Sequence, residues 1–275
     1  MIDVLAPGPL ATVQDRGRVG FAALGVARSG AFDRAALDLA NRLVGNPGDA
    51  AAIEMTFGGL HVRLADPATV ALTGAVCPGA PDWGAAVSLP QGAEIRLGPP
   101  PEGLRSYLAV RGGLAVDPVL GSRSTDTLSG LGPPPLRAGD RLPVGGLSGA
   151  LVGATSAEPS LRDPVLPVQL GPRDDWFTVE ARHSFFATAW TVRTESDRVG
   201  IRLDGAPLER ARDEELASEP TLPGAVQVAA DGRPIVFGPD APVTGGYPVI
   251  AVVTDLGRAA QLRPGDVLRF SPGRG

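Results

Sequence analysis

The sequence predicts a mainly β protein made of two similar β-domains with few short helices. Three observations carry that expectation. Short apolar runs are separated by frequent Gly (37) and Pro (28), the pattern of many strands joined by tight turns. Only one stretch has a clear helical period. The two ends of the chain also correspond to each other at a constant spacing.

The strand candidates are Leu60-His61-Val62-Arg63-Leu64, Thr69-Val70-Ala71-Leu72, Tyr107-Leu108-Ala109-Val110, Pro234-Ile235-Val236-Phe237 and Val249-Ile250-Ala251-Val252-Val253. Several alternate with period two, as half-buried strands do. The helix opens at Ser29-Gly30-Ala31-Phe32-Asp33-Arg34. It continues from Ala35 to Val44, with Leu37, Leu39, Ala40, Leu43 and Val44 on one side, and Gly45-Asn46-Pro47-Gly48 stops it. A shorter helical stretch covers Asp175 to Phe186. The internal correspondence pairs Ile53-Glu54 with Val226-Gln227, Gly59 with Gly232, Leu64 with Phe237, Gly92 with Gly265 and Leu97 with Phe270, each offset by 173. Upstream, Asp15-Arg16-Gly17-Arg18-Val19-Gly20-Phe21 resembles Asp197-Arg198-Val199-Gly200-Ile201 with altered spacing. A repeat of about 100 residues is too long for a solenoid unit and points to duplicated domains. The expected division is a first repeat over 1–99, an intervening strand, polar loop and Gly/Pro-rich linker over 100–164, and a second repeat over 165–275.

Composition excludes several functions. The net charge is −5, against a nucleic-acid binder, whose phosphate contacts need clustered positive charge. All 25 basic residues are arginine. No lysine is present to form a Schiff base, carry biotin or lipoate, or serve a P-loop. Cys77 has no cysteine partner within the chain, and His61 and His183 are the only histidines, so a His/Cys metal cage is not expected. No signal peptide is legible at Met1-Ile2-Asp3, and no apolar run approaches the roughly 18 residues of a membrane span. The cytoplasm is the expected compartment.

Four polar clusters could carry chemistry. Gly25 to Asp33 lies at a helix start, where free amides could hold a carboxylate or phosphate. Ser29 could equally cap the helix, with Asp33 complementing its first turn. Arg111-Gly112-Gly113 and Leu120-Gly121-Ser122-Arg123-Ser124-Thr125-Asp126 combine arginines, hydroxyls and glycines. They suit either a clamp on an anionic substrate or a hydrogen-bonded surface loop. Glu195-Ser196-Asp197-Arg198-Val199-Gly200 reads first as a structural Asp-Arg salt bridge. Asp240-Ala241-Pro242-Val243-Thr244-Gly245-Gly246-Tyr247-Pro248 offers close backbone approach at its glycines, hydroxyls at Thr244 and Tyr247, and an acid or base at Asp240. A plain turn is the alternative.

Taken in order, these clusters, together with Ala40 to Asn46, Tyr107 to Gly113, Ser196 to Leu203 and Gln261 to Asp266, resemble the C subunit of bacterial 5-oxoprolinase. That family is also called allophanate hydrolase subunit 2, or the antagonist of a kinase inhibitor. The resemblance implies two cyclophilin-like β-barrels. It implies assembly with B-like (kinase-inhibitor-like) and A-like subunits into a complex that uses ATP to open 5-oxoproline to glutamate. It also extends to the carboxyltransferase region of urea carboxylase, where biotin rides on a separate carrier domain. One departure is visible: Pro242 and Val243 stand where the family pattern has Gln and Thr.

Opening an unreactive lactam is eased by phosphorylating its oxygen, a step that needs cations. Arg111 and Arg123 are therefore the expected anion stabilisers, and Asp33 and Asp240 the candidate acid or base groups. Ser29, Gly30, Gly112, Gly113, Ser122, Ser124, Thr244, Gly245, Gly246 and Tyr247 are candidate substrate or phosphate contacts. No metal or covalent cofactor is expected on this chain. Two other functions remain open: biotin-dependent carboxyl transfer, and non-catalytic capture of a kinase-inhibitor-like partner.

Overall fold

The computed structural model describes residues 1–146 and 164–273. The chain is mainly β and divides into two units, Met1–Arg18 with Ser29–Leu161, and Val19–Arg28 with Arg162–Gly275. Most of the linker expected within 100–164 falls at 147–163, outside the described residues.

The first unit contains β1 (Ile2–Ala6), β2 (Leu10–Gln14), α1 (Arg34–Leu43), β3 (Ala52–Thr56), β4 (His61–Leu64), β5 (Ala68–Gly74), β6 (Ala86–Leu89), β7 (Glu94–Arg96), β8 (Arg105–Val110) and β9 (Arg141–Leu142). One sheet runs β2-β3-β8-β5-β6 and the other β7-β4-β1-β9. Every residue of β8 is buried, and period two explains why. Leu108 and Val110 point into the core shared with Ile2, Val4, Val62 and Leu64 of the second sheet. Tyr107 and Ala109 point the other way, against Ala36, Leu37, Ala40 and Leu43 of α1. Thus the segment after residue 100 supplies a central strand of this unit, and Val144 still bridges to Leu114.

α1 begins where Asp33 accepts a hydrogen bond from Ala36 N at 3.0 Å and ends before Gly45 at φ +71°. The stop is the one the sequence marks, whereas the cap is Asp33 and not Ser29, whose hydroxyl donates to Thr125 O at 2.9 Å instead. Its apolar stripe covers one face of the five-stranded sheet.

The second unit contains β10 (Val165–Leu170), α2 (Val179–Ala187), β11 (Trp190–Val192), β12 (Gly200–Asp204), β13 (Glu219–Pro220), β14 (Ala225–Val228), β15 (Pro234–Phe237), β16 (Thr244–Gly245), β17 (Val249–Val253), α3 (Leu256–Ala259) and β18 (Val267–Pro272). Seven strands close a barrel in the order β10-β17-β14-β15-β12-β11-β18, sealed by parallel pairing of β10 with β18. Closure leaves no free edge among those strands. Phe185 of α2 stacks on Phe270 of β18 with ring centroids 4.3 Å apart.

The offset of 173 relates strand starts: Ala52 with Ala225, His61 with Pro234, and Glu94 with Val267. The pairings differ. β3 pairs with β2 and β8, whereas β14 pairs with β15 and β17. The joining residues account for this. Phe57, Gly58 and Gly59 all have positive φ and carry the chain from one sheet to the other. The link from β14 to β15 instead folds back as a hairpin, with Gly232 N bonded to Ala229 O.

Candidate functional site

A dense polar cluster forms in the first unit where β2 ends. The Asp15 carboxylate collects four donors. Gly17 N and the hydroxyls of Ser122 and Ser124 reach Oδ1 at 2.7, 2.7 and 2.5 Å, and Arg123 N reaches Oδ2 at 2.6 Å. Its backbone joins in: Asp15 N donates to Ser124 Oγ and Asp15 O accepts from Ala31 N. The adjacent turn uses left-handed backbone at Ser29 (φ +54°) and Gly30 (φ +92°). A Cβ at residue 30 would meet Gly17 N at 2.8 Å, so glycine is required there. Ser122, Ser124 and the Arg123 N–H thus cradle the protein's own Asp15 carboxylate, so these groups hold an internal anion instead of the substrate anion expected of the 120–126 run.

Beside this hub, Gln14, Arg18 and Ser29 converge on the backbone of Ser124 and Thr125. Gln14 Nε2 and Ser29 Oγ each donate to Thr125 O at 2.9 Å, and Arg18 Nη2 donates to Ser124 O. Arg18 is only 2% exposed. Its Nε and Nη1, together with Gln14 Oε1 and Thr125 Oγ1, are buried without a hydrogen-bond partner. Arg198, the counterpart of Arg18 in the Arg-Val-Gly recurrence, is satisfied: its Nε and Nη2 grip Asp240 at 2.9 and 3.0 Å.

Several expected site residues have other work. Asp33 caps α1, and its N–H donates to Tyr107 Oη at 2.8 Å. Tyr107 in turn donates to Glu54 at 2.7 Å. Burial, reinforced by the Glu54 charge, holds the Tyr107 hydroxyl pKa well above 10. Asp240 is fully buried on Arg198, so it is half of an internal ion pair instead of an open acid or base. The expected Asp197-Arg198 bridge is replaced by this longer-range pair, while Asp197 Oδ1 accepts from Val199 N and Gly200 N. Ser122 and Ser124 spend their hydroxyls on Asp15. The Arg123 side chain is tied to Val116 O at 2.7 Å. Gly112 is needed for close chain approach, since a Cβ there would collide with Gly145 O, and the position beside Gly113 is filled by Ala50.

Other expected residues line a cavity or lie at the surface. Arg111 donates to Val44 O at 3.0 Å and lines a cavity of about 470 Å³ with Met1, Asp66, Thr69 and Ser88. In the second unit, Thr244, Gly246 and Tyr247 are exposed. Gly246 has only Leu216 O near its missing Cβ, at 3.5 Å, whereas Gly245 is backed by Gln227. Gln227 Nε2 fixes Tyr247 O at 2.9 Å. At the departure from the family pattern, the carbonyls of Pro242 and Val243 accept from the Thr221 hydroxyl and Thr221 N. Both positions act there through backbone oxygen, which proline and valine retain.

In the sequence, Asp15 and Arg18 stand out only as repeat landmarks, Thr125 only as one hydroxyl of the 120–126 run, and nothing marks Gln14. The recurrence of Arg-Val-Gly is the one available signal. Cys77 is buried, with Sγ 3.3 Å from Ser106 Oγ. Among the described residues, no three His, Cys, Asp or Glu side chains gather as metal ligands, and no helix is long and apolar enough to cross a membrane.

Residues 24–272 match the model of the carboxyltransferase domain, subdomain A and B, and the chain belongs to that family. Among its relatives, the 5-oxoprolinase C subunit of Escherichia coli (strain K12) is 39% identical over 98% of this chain and 90% of that protein. The Haemophilus influenzae protein of the same name is 33% identical with the same coverage. The crystal structure of K. lactis urea amidolyase superposes with a TM-score of 0.91 at 30% identity, over 98% of this chain and 18% of that one.

Proposed function

We propose that this chain is one component of an ATP-dependent 5-oxoprolinase complex that opens 5-oxoproline to glutamate in the cytoplasm. The observation that carries this is the 39% identity running through 90% of the E. coli 5-oxoprolinase component. By contrast, the chain matches only 18% of the urea amidolyase structure, so most of that protein's length has no counterpart in this chain. In this proposal the chain works with B-like and A-like partners. It supplies arginine, hydroxyl and backbone groups, since without lysine it has neither a biotin attachment site nor a P-loop cation. Arg111, facing its cavity, offers a permanent charge for an anionic substrate or phosphate. Thr244, Gly246 and Tyr247 offer an open polar surface for ligand contact. Asp15 keeps the 120–126 loop in shape and does not react.

The urea amidolyase similarity favours one second reading, carboxyl transfer from a carrier-borne biotin. Avidin separates the two. With purified partners, 5-oxoproline turnover unaffected by excess avidin supports the oxoprolinase proposal. Turnover of urea that avidin abolishes would replace it.

A further inference from the structure

A buried arginine without a counter-charge is costly, so proteins pair such groups internally or use them on a ligand. The chain contains both arrangements in related sequence. Arg198-Val199-Gly200 places its guanidinium on Asp240. Arg18-Val19-Gly20 places its guanidinium on a neutral carbonyl, Ser124 O, and leaves Nε and Nη1 without acceptors. The carboxylate three residues earlier, Asp15, is already committed to four donors. Two further orphaned atoms belong to residues bound to the same dipeptide. Gln14 turns its Nε2 to Thr12 and Thr125, which leaves Oε1 as a buried acceptor, and Thr125 Oγ1 is a buried hydroxyl without a partner.

We propose that Arg18, Thr125 and Gln14 form a receptor for a small carboxylic acid that also carries an amide N–H. Arg18 takes the carboxylate, Thr125 Oγ1 adds a hydrogen bond, and Gln14 Oε1 accepts the N–H. A cyclic amide acid such as 5-oxoproline has both groups, so the identity of the ligand rests on the function proposed above, whereas the carboxylate preference rests on Arg18 alone. Gly132 backs the site: a Cβ there would lie 2.8 Å from Arg18 Nη2.

The test uses the full chain, with melting temperature and calorimetric titration against 5-oxoproline, pyrrolidin-2-one (the same lactam without its carboxylate) and acetate. Arg18→Met removes an unpaired buried charge, so it should raise the ligand-free melting temperature, whereas Arg198→Met should lower it by stranding Asp240. Arg18→Met should also weaken 5-oxoproline binding by about tenfold or more, the loss of a charge-assisted hydrogen bond, and leave pyrrolidin-2-one binding unchanged. Thr125→Val, which removes a hydroxyl that has no partner, should fold as wild type and bind 5-oxoproline more weakly. The proposal is overturned if Arg18→Met is destabilised like Arg198→Met with 5-oxoproline binding intact, or if the wild-type chain binds none of the three. If acetate binds as tightly as 5-oxoproline and Arg18→Met abolishes both, Arg18 stands as a carboxylate receptor and the cyclic-amide ligand is refuted.

Discussion

Replacing Asp15 by Asn changes one oxygen into an amine and removes a charge, with almost no change in shape. Three donors, Gly17 N and the Ser122 and Ser124 hydroxyls, meet Oδ1 and can still meet the amide oxygen, but as neutral hydrogen bonds of about half the strength. The fourth, Arg123 N at 2.6 Å from Oδ2, would face an NH2 group and lose its acceptor. A bond to a charged group is worth about 1.5–3 kcal/mol, and a stranded buried donor costs about 1–3 kcal/mol. Allowing for non-additivity, Asp15→Asn should destabilise the first unit by about 3 kcal/mol. Urea unfolding followed by circular dichroism measures this as a lowered midpoint. Because the chain has two units, the transition assigned to the first should move and the other should not. Repeating the substitution in a Ser124→Ala background should give a smaller loss, since one of the bonds is then already absent. An Asp15→Asn midpoint equivalent to within about 0.5 kcal/mol of wild type, the ordinary scatter of surface substitutions, would refute the cradle as a stabilising feature.

Three further outcomes are expected. Asp240→Ala should cost about 3–5 kcal/mol, the usual penalty for leaving one charge of a buried pair alone, and it should lower the melting temperature without needing any substrate present. Gly30→Ala should cost about 2–4 kcal/mol, combining left-handed backbone with a 2.8 Å clash on Gly17 N; wild-type stability on chemical denaturation would contradict the turn geometry. Tyr107 gives a pH dependence. Its folded pKa is raised by burial, while in the unfolded chain a tyrosine ionises near about 10. The stabilisation it provides is therefore complete below about pH 10 and lost as pH rises beyond that value. Lysine is absent, so this alkaline loss should be unusually visible in melting temperatures from about pH 9 to 11. Tyr107→Phe should flatten it, and an unchanged alkaline profile in that variant would exclude the residue as its cause.

Much of the fold was legible because period and punctuation act locally. The helix lies between Asp33 and Gly45, and the runs at 60–64, 107–110 and 249–253 contain or fall within β4, β8 and β17. Pairing was not legible. The same offset that relates β3 to β14 conceals different neighbours, because Phe57-Gly58-Gly59 redirects one chain and Ala229 to Arg233 reverses the other. The candidate site was legible as composition but not as roles. A Ser-Arg-Ser loop is suited to an anion, yet nothing local shows that Asp15, more than 100 residues earlier, fills it. Nor could Asp240 be recognised as the partner of Arg198 across 42 residues, or Asp33 as a cap in preference to a base. Arg18 stands out only when its surroundings reveal which of its nitrogens lack acceptors.

The most direct test of the functional account is glutamate release from 5-oxoproline and ATP by purified A-like and B-like subunits, assayed with and without this chain. Glutamate should form at a substantial rate only when this chain is present, and Arg18→Met should raise the KM for 5-oxoproline about tenfold or more. Equal glutamate release in its absence, or none with all three subunits and ATP together, would contradict it.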